Sequence, residues 1–209
     1  KFSHIHFPAT ELARKRIINM GEDPSMVICS GCPSKDLLSN SKLEFRKLNI
    51  NGVGNKFDVN KPYFLISYHP TTTIKDQSDK KNIRTILKTL EKRKQQTLWI
   101  WPNIDAGSDD IAKQLRCYRE ANSSSNTWLT LIKNVNPEIY INLMSNASCL
   151  IGNSSSFVRD SSFLGAPAII VSNRQINRER ANNAIYLGNL YSEHDLSVKI
   201  DDQSTYKNK

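Results

Sequence analysis

The sequence predicts an α/β fold built around a parallel sheet, and three observations carry that reading. From about Tyr63 onward, apolar runs of strand length alternate with amphipathic segments of helix length, the signature of repeated βαβ units. The helix-length segments open on start signals: Asp109 and Asp110 lie in one first turn, and Asn136-Pro137 places a capping side chain before a proline suited to the first helical position. The chain has 209 residues, 38% hydrophobic and 23% charged, enough to bury one or two cores and unlike a disordered or collagen-like composition.

In order, residues 63–68 read as a strand, 79–96 as a helix, 97–101 as a strand and 109–121 as a helix. Residues 128–132 form the next strand. The helix opened by Asn136-Pro137 buries Ile139, Tyr140, Leu143, Met144 and Ala147. Residues 149–151 follow as a short buried strand, a Gly-Asn-Ser-Ser-Ser turn leads into a helix over 156–164, and 168–172 reads as another strand, with 184–187 a candidate sixth. The first 60 residues break the alternation: 5–7 is a strand fragment, 10–20 a helix ended by Gly21, and 34–48 helical. A strand at the very start has no earlier neighbour in this chain, so residues 1–48 are expected to be the end of a preceding α/β domain. Residues 49–61 then form a linker, 62–200 a complete second domain and 201–209 a polar, frayed tail.

No apolar run reaches the roughly 18 residues that cross a bilayer, and the first residues lack the apolar stretch of a secretory signal. The expectation is a cytoplasmic protein with no membrane partner. Lys and Arg outnumber Asp and Glu by 29 to 20. Much of that excess falls in 80–94, where seven cations surround Ile83, Ile86, Leu87 and Leu90 at helical spacing. A surface helix with lysines in water explains this better than a nucleic-acid face, because no aromatic side chains alternate with the cations. Only Cys29 and Cys32 of the four cysteines have C-x-x-C spacing, and a second pair is lacking, so neither a disulfide scaffold nor a metal site is expected. Reduced cysteines fit a cytosolic chain. Asn122, Asn146 and Asn153 each open an Asn-x-Ser sequon, which without a signal is read as chance.

In an open parallel sheet, ligands bind beyond the carboxyl ends of the strands, where following helices present free N–H groups. Four such turns are unusual: His69-Pro70-Thr71-Thr72-Thr73, the segment Pro102 to Ser108, Gly152-Asn153-Ser154-Ser155-Ser156, and Asn173-Arg174-Gln175. The Gly-Asn-Ser turn offers N–H groups and hydroxyls suited to a phosphate, or simply a serine N-cap with no ligand. His69 is a phosphate donor or a structural histidine, and Arg174 suits a bidentate phosphate contact. Asp160 either accepts from sugar hydroxyls or is a favourable acid near a helix start. What favours a site is convergence of these groups on strand ends that belong together. No G-x-G-x-x-G follows a strand and no Walker pattern or serine-nucleophile elbow occurs, so no dinucleotide or ATP cofactor is expected.

Taken with His4-Ile5-His6-Phe7-Pro8 and Gly31-Cys32-Pro33-Ser34, these turns resemble the hydrolysing UDP-N-acetylglucosamine 2-epimerases, including the epimerase half of the bifunctional epimerase/N-acetylmannosamine kinase. The order and spacing agree across nearly the whole chain. The resemblance implies a Rossmann-like second domain of a glycosyltransferase-B-like fold, plus the end of the first domain, with UDP-sugar in the cleft and no cofactor or metal. It implies that His69 contacts the diphosphate and supports catalysis, and that Asn103, Val135, Ser154, Ser155 and Arg174 help hold UDP. Asp160 takes the place of a ribose-binding glutamate one methylene longer, and Phe157 stands where the family usually has glycine, expected to crowd the turn. The implied chemistry is loss of UDP from C1 with the C2 proton, giving a 2-acetamidoglucal, followed by water addition to release N-acetylmannosamine. Its acid and base carboxylates belong to the first domain, outside these residues, so this part alone is expected to bind UDP weakly without turnover. The partners implied are UDP-N-acetylglucosamine, UDP and further copies of the chain in a homo-oligomer, in sialic-acid-type sugar synthesis. The competing readings are a transferase of the same architecture, a non-catalytic UDP-binding regulatory module and, last, nucleic-acid binding through the basic helix.

Overall fold

A computed structural model of the chain describes residues 2–39, 45–71, 78–189 and 191–206. The chain divides into two compact units, Lys1–Asn40 and Ser41–Lys209. The boundary therefore falls several residues before the expected one, because Phe45, Leu48 and Ile50 pack into the core of the second unit.

In the first unit, helix α1 (Glu11–Asn19) starts where Thr10 caps it, its hydroxyl accepting from the Ala13 N–H at 3.2 Å. It ends at Met20, followed by Gly21 at φ +95°. The fragment around His6 makes a single parallel bridge to Val27 rather than a full strand. Of the helix expected over 34–48, the start is α2 (Ser34–Ser39), the end is a 3-10 turn at Phe45–Lys47 in the second unit, and 40–44 lies outside the described residues. Phe2, Ile5, Phe7, Leu12, Met20, Met26 and Ile28 of this unit are exposed.

The second unit is one seven-stranded sheet. Its strands are β1 (Val53–Gly54), β2 (Phe64–Ser67), β3 (Thr97–Ile100), β4 (Leu129–Ile132), β5 (Cys149–Gly152), β6 (Ala168–Val171) and β7 (Ala184–Gly188). They lie in the order β1-β4-β3-β2-β5-β6-β7, all parallel except β1, which runs antiparallel to β4. The helices are α3 (Ser78–Arg93), α4 (Ser108–Ala121), α5 (Pro137–Asn146), α6 (Asp160–Leu164) and α7 (Glu193–Tyr206). Successive side chains of each strand face opposite ways, so the buried sheet feeds two cores. Phe64, Ile66, Trp99, Leu131 and Ile151 pack with Ile83, Leu90 and Leu115 of α3 and α4. Leu65, Leu98, Leu150 and Ile170 pack with Leu143 and Met144 of α5 and with Phe157.

Two expectations are corrected here. Residues 49–61 are not a free linker: β1 pairs with β4, and Ile50, Phe57 and Val59 are buried. Residues 201–206 are not a frayed tail but the end of α7, where Gln203 is buried and its amide donates to the Ala168 and Asn183 carbonyls at 2.9 and 3.0 Å. The Asn183 carbonyl also accepts from the Ala168 N–H at 2.9 Å, so the glutamine amide adds a second donor where β6 and β7 begin. A start signal for α7 was present: the Ser192 hydroxyl accepts from the Asp195 N–H at 3.1 Å while the Asp195 carboxylate accepts from the Ser192 N–H at 2.8 Å.

The basic helix is α3. Ile83, Ile86, Leu87 and Leu90 are buried, as a core-facing stripe requires. Lys92 and Lys88 pair with Glu193 at 2.7 and 3.8 Å, and Arg93 pairs with Asp201 at 2.9 Å, so part of the positive charge is answered by α7 of the same chain. No helix among the described residues is long and apolar enough to cross a membrane.

Candidate functional site

The strand order reverses at β2. From it, β3 and β4 are laid down on one side, and the chain then crosses to place β5 on the other. Helices leave the two neighbours in opposite directions at such a point, opening a crevice beyond their carboxyl ends. Ser67 pairs in register with Gly152, so β2 and β5 end level, and the turns carrying His69 and Ser154 face one crevice.

Gly152 makes that close approach possible. It has φ +154°, and a β-carbon there would lie 2.0 Å from the Ser67 carbonyl oxygen. The next residue, Asn153, is fully buried and ties three strand ends together. Its Oδ1 accepts from the His69 N–H at 2.7 Å, and its Nδ2 donates to the His69 carbonyl at 2.8 Å and to Ser172 Oγ at 3.1 Å. This two-way amide contact holds the His69 main chain in one place. The Asn153 carbonyl in turn accepts from Arg174 Nη1 at 3.2 Å and Gln175 Nε2 at 3.0 Å. Ser172, at φ +62°, turns the chain out of β6 toward Arg174.

The His69 side chain is 6% exposed; Nε2 lies 3.2 Å from Ser67 Oγ, and Nδ1 is buried with no partner among the described residues. Burial pushes the imidazole below its ordinary pKa, the nearby Arg174 guanidinium pushes the same way, and the Asp105 carboxylate opposes both. The folded chain thus prefers the neutral ring, whereas the unfolded chain takes up a proton as pH falls through about 6.5. The stability this contributes is present above that pH and is lost as pH falls toward the lower folded-state value. Accordingly, the thermal midpoint should fall more between about pH 7.5 and pH 5.5 in the parent chain than in His69→Asn. Equal falls by scanning fluorimetry would show that His69 is not the group responsible.

The second wall is a run of hydroxyls. Ser154 Oγ lies 2.8 Å from Ser156 Oγ, which lies 2.5 Å from the Tyr140 hydroxyl at the side of α5. Asn136 caps α5, its Oδ1 accepting from the Glu138 N–H at 2.9 Å, and Pro137 follows as expected. Residues after Ser154 form tight turns rather than a helix, and α6 starts at Asp160, four residues later than the sequence suggested. Phe157 does not crowd this turn. Its ring points into the core, completely buried, while its N–H donates to the Ser154 carbonyl at 3.2 Å.

A recess of about 270 Å³ brings His69, Asn103, Val135 and Ser154 together with Ser67 and Tyr140. Arg174 is not in its lining but reaches the same turn through the Asn153 carbonyl. Ser155 is half-buried beside it, and Asp160 sits at the first position of α6 with its carboxylate 2.9 Å from Arg159 Nε. A neighbouring recess shares Asn103 and adds Trp101, Ile104, Asp105 and Lys133. A larger hollow of about 880 Å³ between α3 and α4 contains none of the strand-end residues. Thr72 and Thr73 lie outside the described residues. Sequence reasoning placed Tyr140 in the core and passed over Ser67; the Ser67-x-His69 spacing, which puts both on one face at the end of a strand, was the available signal for the latter.

A family model described as UDP-N-acetylglucosamine 2-epimerase matches residues 1–195. The chain is 32% identical over 186 residues to the GDP/UDP-N,N'-diacetylbacillosamine 2-epimerase (hydrolyzing) of Campylobacter jejuni, covering 88% of this chain and 47% of the relative. It is 28% identical over 186 residues to the UDP-N-acetylglucosamine 2-epimerase of Neisseria meningitidis, covering 89% and 47%. The chain thus spans about half the length of the curated relatives it matches. Among solved structures, the Methanocaldococcus jannaschii UDP-GlcNAc 2-epimerase in complex with UDP-GlcNAc and UDP superposes with a TM-score of 0.72 at 15% identity, over 97% of this chain and 54% of that one. The Neisseria meningitidis enzyme bound to UDP-GlcNAc gives 0.71 at 16% identity, over 99% and 54%. The likeness confirms the α/β, Rossmann-like architecture of the glycosyltransferase-B type for this half. With a family model matching almost its whole length and a sheet of the same design, the chain belongs to the UDP-N-acetylglucosamine 2-epimerase family.

Proposed function

We propose that the whole protein is a hydrolysing epimerase that converts UDP-N-acetylglucosamine to N-acetylmannosamine and UDP, in sialic-acid-type sugar synthesis, and that these 209 residues supply the grip on UDP. The carrying observation is the meeting of His69, Ser154 and the Arg174-bearing turn where β2 and β5 part. As the bond from sugar C1 to the diphosphate breaks, negative charge develops on the leaving phosphate, and His69 and Arg174 stabilise it. Asn103, Val135 and Ser155 complete the UDP contacts, and Asp160 holds the ribose from the start of α6. The unit Lys1–Asn40 belongs to a first domain, a reading its exposed apolar side chains support. The acid and base act from outside these residues, so the chain alone binds UDP and turns nothing over; the whole protein works as a homo-oligomer.

Calorimetry should therefore detect UDP binding to the 209-residue chain with no sugar release. The whole protein should release free N-acetylmannosamine from UDP-N-acetylglucosamine without any acceptor. A strict requirement for an acceptor would make it a transferase instead, and UDP binding without turnover in the whole protein would make it a regulatory module. A second substrate reading is a bacillosamine-type nucleotide sugar, favoured by the name of the Campylobacter relative. Faster release from UDP-N,N'-diacetylbacillosamine in a side-by-side assay would select it.

A further inference from the structure

Tyr140 occupies a position that no part of the UDP grip described above uses. It comes from the apolar stripe of α5, yet its hydroxyl ends in the crevice, 2.5 Å from Ser156 Oγ, and lines the same recess as His69 and Ser154. Ser156 in turn stands 2.8 Å from Ser154. Ser154 and Ser156 are each buried, so bulk water does not set the directions of their protons.

A row of three hydroxyls can run in either direction. In one, Tyr140 donates to Ser156, Ser156 donates to Ser154, and the Ser154 proton is left over for an outside acceptor. In the other, Ser154 spends its proton on Ser156 and presents only lone pairs outward. A phenol is a far stronger acid than an alkyl alcohol and a poorer acceptor, so the head of the row favours the first direction. Each donation polarises the next hydroxyl, which strengthens the last donor. An anion at Ser154 favours the same direction, so tyrosine and ligand reinforce each other. Burial raises the phenol pKa, hydrogen bonding with Ser156, Ser154 and Ser67 opposes it, the Asp160 carboxylate adds to it, and the net upward shift keeps the proton on Tyr140 at neutral pH.

We propose that Tyr140 is a positioning residue for the leaving-group grip: through Ser156 it orients the Ser154 hydroxyl as a donor to the ligand's phosphate. This deepens the UDP reading given above and rests on it. The ring itself packs with the core, so Tyr140→Phe removes the head of the row while keeping the packing. The Ser154–Ser156 pair is then free to run either way.

The test is a set of UDP titrations of the 209-residue chain by calorimetry, with circular dichroism melts to confirm folding. Tyr140→Phe is expected to weaken UDP binding about three- to tenfold, the scale of one neutral hydrogen bond. In a Ser154→Ala background the same change should cost nothing further, because tyrosine acts through that serine. Ser156→Ala cuts the row at its middle and should reproduce the loss, serving also if Tyr140→Phe folds poorly. Unchanged affinity in both Tyr140→Phe and Ser156→Ala, or an equal loss with and without Ser154, overturns the proposal while leaving the UDP reading intact. Absence of UDP binding in the parent chain defeats that reading and this role with it.

Discussion

Replacing His69 by alanine is expected to weaken UDP binding ten- to about a hundredfold while the protein stays folded. A hydrogen bond from a charged or anion-facing donor is worth roughly 1.5 to 3 kcal/mol, and each 1.4 kcal/mol is a factor of ten. The fold should tolerate the change because the contacts that place residue 69 run through its main chain. Both its N–H and its carbonyl are held by the Asn153 amide, which alanine leaves in place. Among the described residues the side chain makes one hydrogen-bond contact, to Ser67 Oγ, and that hydroxyl lines the same recess as Tyr140. Calorimetry is the direct measurement. Unchanged affinity would remove His69 from the site and with it the claim that the β2–β5 crevice grips a diphosphate.

Gly152→Ala carries the largest expected loss of stability. Its β-carbon would be placed 2.0 Å from the Ser67 carbonyl oxygen and 2.8 Å from the carbonyl carbon, backbone atoms held in the middle of a sheet. That carbonyl also accepts the Asn153 N–H at 3.1 Å. Relief of the clash must separate β2 from β5 or displace the turn that follows, and either movement disturbs the Asn153–His69 contact. A cost of about 3 kcal/mol or more is expected, which for a chain of this size lowers the thermal midpoint by roughly 6 to 12 °C. UDP affinity should fall along with it. Gly165→Ala is the comparison: Gly165 caps α6 at φ +62° with open space around the missing β-carbon, so only the left-handed backbone is penalised, at about 1 kcal/mol. If both variants melt alike, the close approach of the two strands is not what demands glycine at 152.

Much of this was legible beforehand because it is local. Strand-length apolar runs, the Asn136-Pro137 helix start and the stripe of α3 each report a preference that a few consecutive residues express by themselves. Where the stripe was mixed, the reading failed. α7 buries Leu196, Ile200 and Gln203, and the glutamine makes that face look polar although its amide caps carbonyls at the edge of the sheet. β1 is two residues long and antiparallel, too short to leave a pattern. Tyr140 fitted the apolar periodicity of α5 and was assigned to the core by its ring, whereas its hydroxyl belongs to the crevice. Asn153 looked like one more member of a phosphate turn; its amide is in fact occupied by the main chain of a residue 84 positions earlier.

By itself the sequence determined the α/β class, most of the elements and the chemical character of each turn, since period and capping act within a helix turn or a strand. Only the tertiary structure decided which turns share a crevice. That depends on β5 crossing to the far side of β2 instead of continuing beyond β4, a choice made by burial of whole faces across the sheet. No local pattern encodes the identity of a strand's neighbour: the topology rule could bring His69, Ser154 and Arg174 to one edge of the sheet, but the contacts that join their turns, through Asn153 where β2 and β5 part, were visible only when the chain was folded.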